Sequence, residues 1–382
     1  MLLLIAICIT IAYLIIIGIL TYGFDKVEDL KLEDLKLEDL KPKTKFSVVI
    51  PFRNEAENLP NLLASIENLN YPKSLFEIIF VDDDSEDESV LILEKILASN
   101  STINNIRIIK NERTSNSPKK DAITSAIKVS NYNWIVTTDA DCVLPQYWLD
   151  TFDESIQTEK PNCIVAPVTY HGENSFLNRF QTLDFLSLQG ATIGGFGIDK
   201  AFMCNGANFA YKKSEFKSVK GFEGNDGIAS GDDMFLLEKF IKHDSKKVNY
   251  LKAKTAIVTT NPAENLKNLV HQRIRWASKA SRYNFWFSKL VGLIVLLGNL
   301  VFLGLIISLI FNYSSSQTII ALLVIKFSID FLLLFKTTRF FRQENLLLSY
   351  LFSSMLYPIF NVSVAFLSFF KTYEWKGRNF KK

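Results

Sequence analysis

Apolar residues are concentrated at the two ends of the chain, and a stretch of ordinary soluble composition lies between them. Leu2 to Leu20 carries no charged residue and is long enough to cross a bilayer. Leu290 to Phe311 and Thr318 to Phe335 are candidate spans near the other end, and a third apolar stretch runs from Leu346 to Phe370. This pattern predicts an integral membrane protein with one anchor before its soluble part and two or three spans after it.

The first apolar segment is expected to be an uncleaved anchor. A cleaved signal peptide is the alternative, but it usually has a basic start and a small-residue cleavage site, and neither is clear here. Lysines follow the segment and none precedes it, so the positive-inside rule places the next residues in the cytoplasm.

The C-terminal spans carry charges of their own. Lys326 and Asp330 lie four residues apart, which predicts an ion pair on one helix face, buried against other helices. Basic residues after this span are consistent with a return to the cytoplasm. A single further crossing would leave the basic tail outside, against the rule. Either Pro358 splits the last stretch into a re-entrant hairpin or the bias is overridden, and both interpretations stay open.

Strand patterns and helix patterns alternate along the first part of the soluble region. The predicted strands are Phe46–Pro51, Glu77–Val81, Ile106–Ile109 and Trp134–Thr138, and the predicted helices are Glu55–Ile66, Val90–Ala98 and Lys119–Val129. This alternation predicts an α/β fold with a mainly parallel sheet. No G-x-G-x-x-G follows the first strand, which disfavours a dinucleotide-binding domain.

The second part of the soluble region is less regular. Phe176–Leu188 is predicted to be a helix that leads into a loose region from Gly190 to Gly197. A turn at 205–208 precedes the short strand Phe209–Tyr211, and Gly231 opens a helix with two acids in its first turn. The expected domains are an anchor (1–22), a charged linker (23–44), a catalytic domain (45–285), a membrane region (286–372) and a basic tail (373–382).

Charge and cysteine content exclude several classes. The net charge of +3 is too small to indicate nucleic-acid binding. The four cysteines show no C-x-x-C spacing, so free thiols are expected and not a zinc site. A five-residue repeat between Lys26 and Leu40 mixes acids and bases too closely for a single-sign patch, which favours a solvated spacer over a binding motif.

Two carboxylates follow the fourth predicted strand. Asp139 and Asp141 are two residues apart, and alternation along a strand places such side chains on one face. Hard oxygen ligands of this kind suit Mg²⁺ or Mn²⁺, which can in turn hold a diphosphate. A simple polar turn is the alternative, because aspartate favours turns.

Several motifs occur in a recognisable order. They are Pro51-Phe-Arg-Asn-Glu55, Val81-Asp-Asp-Asp-Ser-Glu-Asp87, Pro118-Lys119-Lys-Asp-Ala122, Asp139-Ala-Asp141, Gly231-Asp-Asp233 and Gln272-Arg-Ile-Arg-Trp276. This set resembles the family 2 glycosyltransferases, in the membrane-bound branch with D, DxD, [E/D]D and Q-x-x-R-W motifs. That branch includes cellulose, chitin and hyaluronan synthases and ceramide glucosyltransferases. The resemblance covers roughly positions 46 to 280, and it implies a GT-A-like, nucleotide-sugar-binding α/β domain.

The resemblance also implies roles for individual residues. Asp83, with Asp82 beside it, would hold the uracil or ribose of the donor. Asp139 and Asp141 would carry the cation that bridges the diphosphate, and Asp233 would be the general base with Asp232 before it. Further residues would contact the donor or close over it and shape the acceptor site, namely Pro51, Arg53, Glu55, Lys119, Gln272, Arg275 and Trp276.

The expected protein is therefore an inverting glycosyltransferase of a bacterial inner membrane. Its partners would be a nucleotide sugar, a lipid-linked or glycan acceptor and the membrane, but no nucleic acid. The small number of spans argues against a polysaccharide channel in this chain alone, so single addition and processive synthesis both stay open. A nucleotidyltransferase would leave the Arg-Trp element unexplained, and a transporter or scaffold would not require the acidic set.

Overall fold

The computed structural model describes residues 1–31, 41–99, 105–228, 230–279, 282–311, 316–370, 373–375 and 378–380. Most of the charged repeat, at residues 32–40, lies outside them. The chain divides into two compact units. We call Glu28–His171 with Cys204–Asn261 the sheet unit, and Met1–Val27 with Gly172–Met203 and Pro262–Lys382 the helical unit. Residues 172–203 and 262–285, expected in the catalytic domain, thus group with the apolar helices.

The sheet unit is built on ten strands among the described residues. Their bounds are β1 Phe46–Phe52, β2 Phe76–Asp82, β3 Ile106–Lys110, β4 Trp134–Thr137, β5 Cys142–Val143, β6 Cys163–Val165, β7 Val168–Tyr170, β8 Phe209–Lys212, β9 Val248–Tyr250 and β10 Val258–Thr260. Seven of them form one sheet in the order β3-β2-β1-β4-β8-β6-β9, and β5, β10 and β7 form a small second sheet.

The large sheet is mixed and mainly parallel, as expected. β1 pairs in parallel with β2 and β4, and β2 pairs in parallel with β3. β8 runs antiparallel between β4 and β6, and β9 is parallel to β6. The central strands β1 and β2 are buried over nearly their whole length, which explains their continuous apolar runs.

Six α-helices accompany these strands: α2 Leu59–Glu67, α3 Ser89–Ser99, α4 Pro118–Val129, α5 Trp148–Glu159, α7 Lys213–Ser218 and α8 Asp232–Asp244. The helix predicted from Glu55 begins only at Leu59. Residues 53–56 instead form a turn in which Asn54 has a positive φ of 52°. Hydrogen bonds join this turn to the start of α3. The amide of Glu55 donates to Ser89 Oγ (2.8 Å), and that of Ala56 donates to Asp87 (3.0 Å).

The helical unit contains α1 Leu2–Lys26, α6 Phe176–Gly197, α9 Leu266–Ala277, α10 Trp286–Ile310, α11 Ser316–Phe340, α12 Tyr350–Phe370 and a hairpin of β11 Tyr373–Trp375 and β12 Arg378–Phe380. Within the described residues, four helices are long and apolar enough to cross a membrane: α1, α10, α11 and the segment Glu344–Phe370 that ends with α12. Helices that could span a membrane are therefore present at the N-terminal and C-terminal positions where they were expected.

One expectation about this unit is wrong, one of two open interpretations is excluded, and one expectation is confirmed. The region from Gly190 to Gly197 is not loose, because α6 continues through it. Pro358 lies inside the single helix α12, so it does not divide the segment into a re-entrant hairpin. The predicted intrahelical ion pair is present, with Lys326 Nζ 2.8 Å from Asp330 Oδ2, and Tyr13 of α1 donates a second hydrogen bond to Asp330 (2.7 Å).

Candidate active site

Three of the predicted motifs meet at one edge of the large sheet. Arg53 follows β1, Asp83 follows β2, and Asp139 to Asp141 follow β4. These strands are neighbours and parallel, so their carboxyl ends share one edge. Pro51 is tolerated within central β1 because β4 pairs with β1 only as far as Val49.

Asp83 is the centre of a polar cluster at this edge. Its Oδ1 accepts hydrogen bonds from Arg113 Nε (2.7 Å) and Asn111 Nδ2 (2.7 Å). Arg53 donates to the main-chain oxygen of Asp83 (2.9 Å). Asp82 has a different structural role. Its Oδ1 accepts a hydrogen bond from the amide of Ser85 (2.9 Å), which stabilises the turn after β2. Asp82 and Asp83, which are adjacent in the sequence, therefore make different contacts in the structure.

Arg53 binds the loop before α3, and Glu55 contacts the residues just before α2. Arg53 Nη2 lies 2.7 Å from Glu86 Oε1, and Arg53 Nη1 also donates to the main-chain oxygen of Asp84. Glu55 is buried, and its Oε2 accepts a hydrogen bond from Asn58 Nδ2 (2.7 Å). These contacts order the turn after β1, which lies beside the Asp83 cluster.

A second cluster, here called the acid–lysine cluster, consists of Lys119, Asp139, Asp232 and Asp233. Lys119 is the second residue of α4, and its Nζ lies 2.5 Å from Asp139 Oδ1 and 3.6 Å from Asp232 Oδ2. Asp233 Oδ2 accepts the main-chain amide of Gly206 (3.1 Å). A Cβ at position 206 would lie 3.1 Å from Asp232 Oδ2, so glycine permits this close approach. The structure thus joins the Pro-Lys-Lys-Asp, DxD and Gly-Asp-Asp motifs.

Lys119 carries a firmly held positive charge. Burial would lower the pKa of Lys119, but the carboxylates of Asp139 and Asp232 outweigh burial and raise that pKa above its ordinary value. The ammonium therefore stays charged across the physiological range, and it offsets the repulsion between the acids around it.

The donors near Asp139 suit a hard divalent cation. Among the described residues no group of three or more His, Cys, Asp or Glu side chains is gathered as a metal cage. A cation held by the two expected ligands, Asp139 and Asp141, would therefore need further oxygen ligands from water or substrate, as Mg²⁺ often has. Cys142 offers no competing soft ligand, because burial, with Asp141 and Asp139 adding to it, raises the pKa of its thiol. All four cysteines are free thiols, as expected.

The Gln-x-x-Arg-Trp motif lies on α9 of the helical unit. Between its named residues, Arg273 is buried and pairs with Asp184 of α6 (Nε–Oδ2 2.6 Å). Arg273 also donates to Gln272 Oε1 (2.6 Å), and its guanidinium lies 4.2 Å from the ring centroid of Trp276. Two of the three predicted side chains, Gln272 and Trp276, are therefore oriented by a residue that the motif does not name. Arg275 is in the last turn of the same helix.

Sequence reasoning missed Asn111 and Arg113. Both follow β3, the next parallel strand, so the strand-end rule that found Asp83 and Asp139 could also have found them. Gly206 gave no comparable signal, because its close approach to the acids depends on the tertiary fold.

Comparison with known proteins supplies independent information. The chain matches the model "Glycosyl transferase family 2" over residues 47–219 and the model "Glycosyl transferase family group 2" over residues 134–370. A poly-beta-1,6-N-acetyl-D-glucosamine synthase of Staphylococcus epidermidis is 23% identical over 270 residues, which are 69% of this chain and 61% of that protein. A synthase of the same name from Staphylococcus aureus strain COL is 24% identical over 232 residues, 59% of this chain and 52% of that protein. The chain thus spans less than two thirds of the length of either relative.

A solved structure supports the fold. A mannosyltransferase from Pyrobaculum calidifontis, in complex with GDP-Man and Mn²⁺, resembles this chain with a TM-score of 0.59 at 16% identity. The likeness covers 93% of this chain and 99% of that one. The expected GT-A-like fold is confirmed.

Proposed function

Since the chain belongs to glycosyl transferase family group 2, we propose that it transfers a sugar from a nucleoside-diphosphate sugar to a hydroxyl of a lipid-linked or glycan acceptor, with inversion. It is a glycosyltransferase related to polysaccharide synthases. The acid–lysine cluster is the observation that best supports this proposed transfer, because in it Lys119 links the DxD carboxylate Asp139 to Asp232. A UDP-sugar is the proposed donor.

The Asp83 cluster binds the nucleoside in this proposal. Arg113 and Asn111 orient the carboxylate of Asp83, whose oxygens are of the kind that accepts hydrogen bonds from a base or a ribose hydroxyl. Asp139 and Asp141 would hold Mg²⁺ or Mn²⁺, which would neutralise charge on the departing diphosphate. Lys119 adds a positive charge on the same side.

Asp233 acts as the general base. It is more exposed than Asp232, and the amide of Gly206 holds its Oδ2 in place. A carboxylate so held can take the proton of an acceptor hydroxyl as that hydroxyl attacks the sugar carbon. A single displacement of this kind needs one base, forms no covalent intermediate and inverts the reacting carbon.

Gln272, Arg275 and Trp276 are proposed to close the donor site and shape the acceptor site. Trp276 offers a flat apolar surface for a sugar ring. Similarity to proteins named poly-beta-1,6-N-acetyl-D-glucosamine synthases supports a second candidate, repeated addition to one growing polymer. The sheet unit is proposed to face the cytoplasm of a bacterial cell, where nucleotide sugars are made.

The test is release of nucleoside diphosphate by the purified full chain in lipid nanodiscs. A panel of UDP- and GDP-sugars is offered with Mg²⁺ or Mn²⁺, and products are identified by mass spectrometry. We expect Asp141→Asn to lower turnover by about 100-fold or more, since it removes one cation ligand charge. Asp244→Asn is the matched control, because Asp244 is exposed at the end of α8 and asparagine caps equally well. Full turnover and unchanged cation dependence in Asp141→Asn would disprove the cation assignment.

A further inference from the structure

Lys120 is a buried cation whose contacts differ from those of its neighbour Lys119. Its side chain is almost completely enclosed, at 1% exposure. Its Nζ donates to two main-chain oxygens, those of Asn225 (2.6 Å) and Ile228 (2.9 Å). The ammonium also lies 4.9 Å from the ring centroid of Phe235 and 6.0 Å from that of Phe222.

The oxygens that Lys120 binds belong to residues 221–228, which together with 230–231 are here called the α8 loop because they precede Asp232 and Asp233 of α8. A second lysine holds the start of the same loop. Lys239 of α8 donates to the main-chain oxygens of Gly221 (2.6 Å) and Glu223 (2.8 Å). Gly224 and Gly231 both have a φ of +80°, a conformation that glycine adopts without strain.

A buried ammonium persists only where it is well paired, because its desolvation is costly. Here the carbonyl oxygens and the aromatic faces compensate Lys120, and the loop oxygens in turn gain a strong donor. Four charged groups also act on Lys120: Asp226 in the loop and Asp232, Asp233 and Lys239 on α8. Lys120 therefore couples α4, the element that supplies Lys119, to the loop that precedes the acid pair of α8.

We propose that Lys120 is a positioning residue that holds the α8 loop in the conformation that presents Asp232 and Asp233 to the acceptor. This inference rests on the proposed function of the acid pair. Lys120 acts through backbone oxygens, so a side chain of similar length without a positive charge cannot replace it. Its loss should impair transfer while nucleotide binding at the Asp83 cluster persists.

The test compares Lys120→Met with Lys128→Met in the full chain. Lys128 lies on the same helix but is exposed, and it pairs only with exposed Glu112 among the ion pairs of the described chain. Methionine fits an apolar pocket and keeps the length of the side chain. We expect Lys120→Met to lower kcat by about 10- to 100-fold with little change in donor affinity, and Lys128→Met to behave as the parent.

Hydrogen exchange supplies a readout that does not depend on activity. Amides of residues 221–228 should exchange faster in Lys120→Met, whereas those of β1 and β4 should not. Unchanged exchange in the loop overturns the inference, and so does an equal loss of donor binding. If the parent chain turns over no nucleotide sugar, the proposed function fails, but the exchange result still decides whether Lys120 holds the loop.

The pH profile adds a third arm. Burial lowers the pKa of Lys120 to about 8, against the opposing influence of Asp232, Asp233 and Asp226. Below pH 8 the ammonium is charged and holds the loop, and above it the charge is lost. Activity should therefore decline on the alkaline side near pH 8. Lys120→Arg, which stays charged, should move that decline to higher pH, and an unmoved decline contradicts the role of the charge.

Discussion

Lys119, Lys120 and Asp121 are consecutive residues at the start of α4, yet their side chains have three different partners. Lys119 pairs with Asp139, and Lys120 binds the α8 loop. Asp121 accepts the amides of Thr114 and Ser115 (3.1 and 2.9 Å), in the loop that carries Arg113. Successive helical residues point about 100° apart, so one turn of helix can fasten three loops. This turn therefore contacts the loop that carries Arg113, the acid–lysine cluster and the α8 loop.

At the residue scale, the sequence suffices to predict the location of side chains that directly follow a parallel strand. Asp83 and Asp139 follow strands, and local patterning suffices to predict that parallel strand ends meet. Lys120 could not be predicted in this way, because its partners are main-chain oxygens about a hundred residues later. Every residue has a main-chain oxygen, so residue types cannot predict which oxygens Lys120 contacts. Only the folded structure shows them.

The division of labour between Asp232 and Asp233 gives a prediction at this scale. Asp232 is buried beside Lys119, whereas Asp233 is partly exposed and accepts the amide of Gly206. Asp233→Asn should abolish transfer and leave donor binding nearly intact, because the lost charge acts mainly in the transition state. Asp232→Asn should cost less. Calorimetric donor binding and transfer rates for both variants measure this, and the reverse order of rates would exchange the two roles.

At the scale of elements, the glycines of α6 explain why its length was underestimated. Glycine usually weakens a helix, so the pattern predicted an end near Leu188. In the helical unit, however, α6 continues to Gly197 and packs closely against α1. A Cβ on Gly194 would overlap the main-chain oxygen of Leu20, and a Cβ on Gly197 would overlap that of Gly23. Small residues at such crossings let two backbones approach, which is common between apolar helices.

This crossing can be tested with one methyl group. Gly194→Ala should force α1 and α6 apart and lower the stability of the protein by about 1–3 kcal/mol, the usual cost of overpacking. Gly18→Ala on α1 is the matched control, since a Cβ there meets no atom within 4 Å. Thermal unfolding in detergent, followed by circular dichroism, compares the two variants. Equal melting temperatures would show that the close crossing is not needed.

At the scale of the whole molecule, composition predicted the apolar ends and the soluble middle, but not which segments join them. α6 and α9 carry buried polar residues, such as Asp184 and Arg273, so their composition resembles that of a soluble domain. They group with the apolar helices because their charges pair with each other and the glycines of α6 fit α1. Pairing and close packing of this kind are properties of two segments together, and neither segment shows them alone.

The distribution of basic residues along the chain gives the last prediction, which concerns sidedness. Lys26 ends α1, Arg282 and Lys289 flank the start of α10, and Arg339 lies in the last turn of α11. The positive-inside rule places all of these ends in the cytoplasm, and with them the segments that form the sheet unit. The junction between α10 and α11 should then face outward.

Two engineered thiols decide the point in intact cells. Lys217→Cys places a thiol at an exposed position of α7, and Gln317→Cys places one at the exposed start of α11. An impermeant maleimide added outside should label Gln317→Cys and not Lys217→Cys, and permeabilisation should expose the second thiol. The parent chain has four thiols of its own, so labelling is counted above the parent. Labelling of Lys217→Cys from outside would place the sheet unit, and the nucleotide sugar it is proposed to bind, on the opposite side of the membrane.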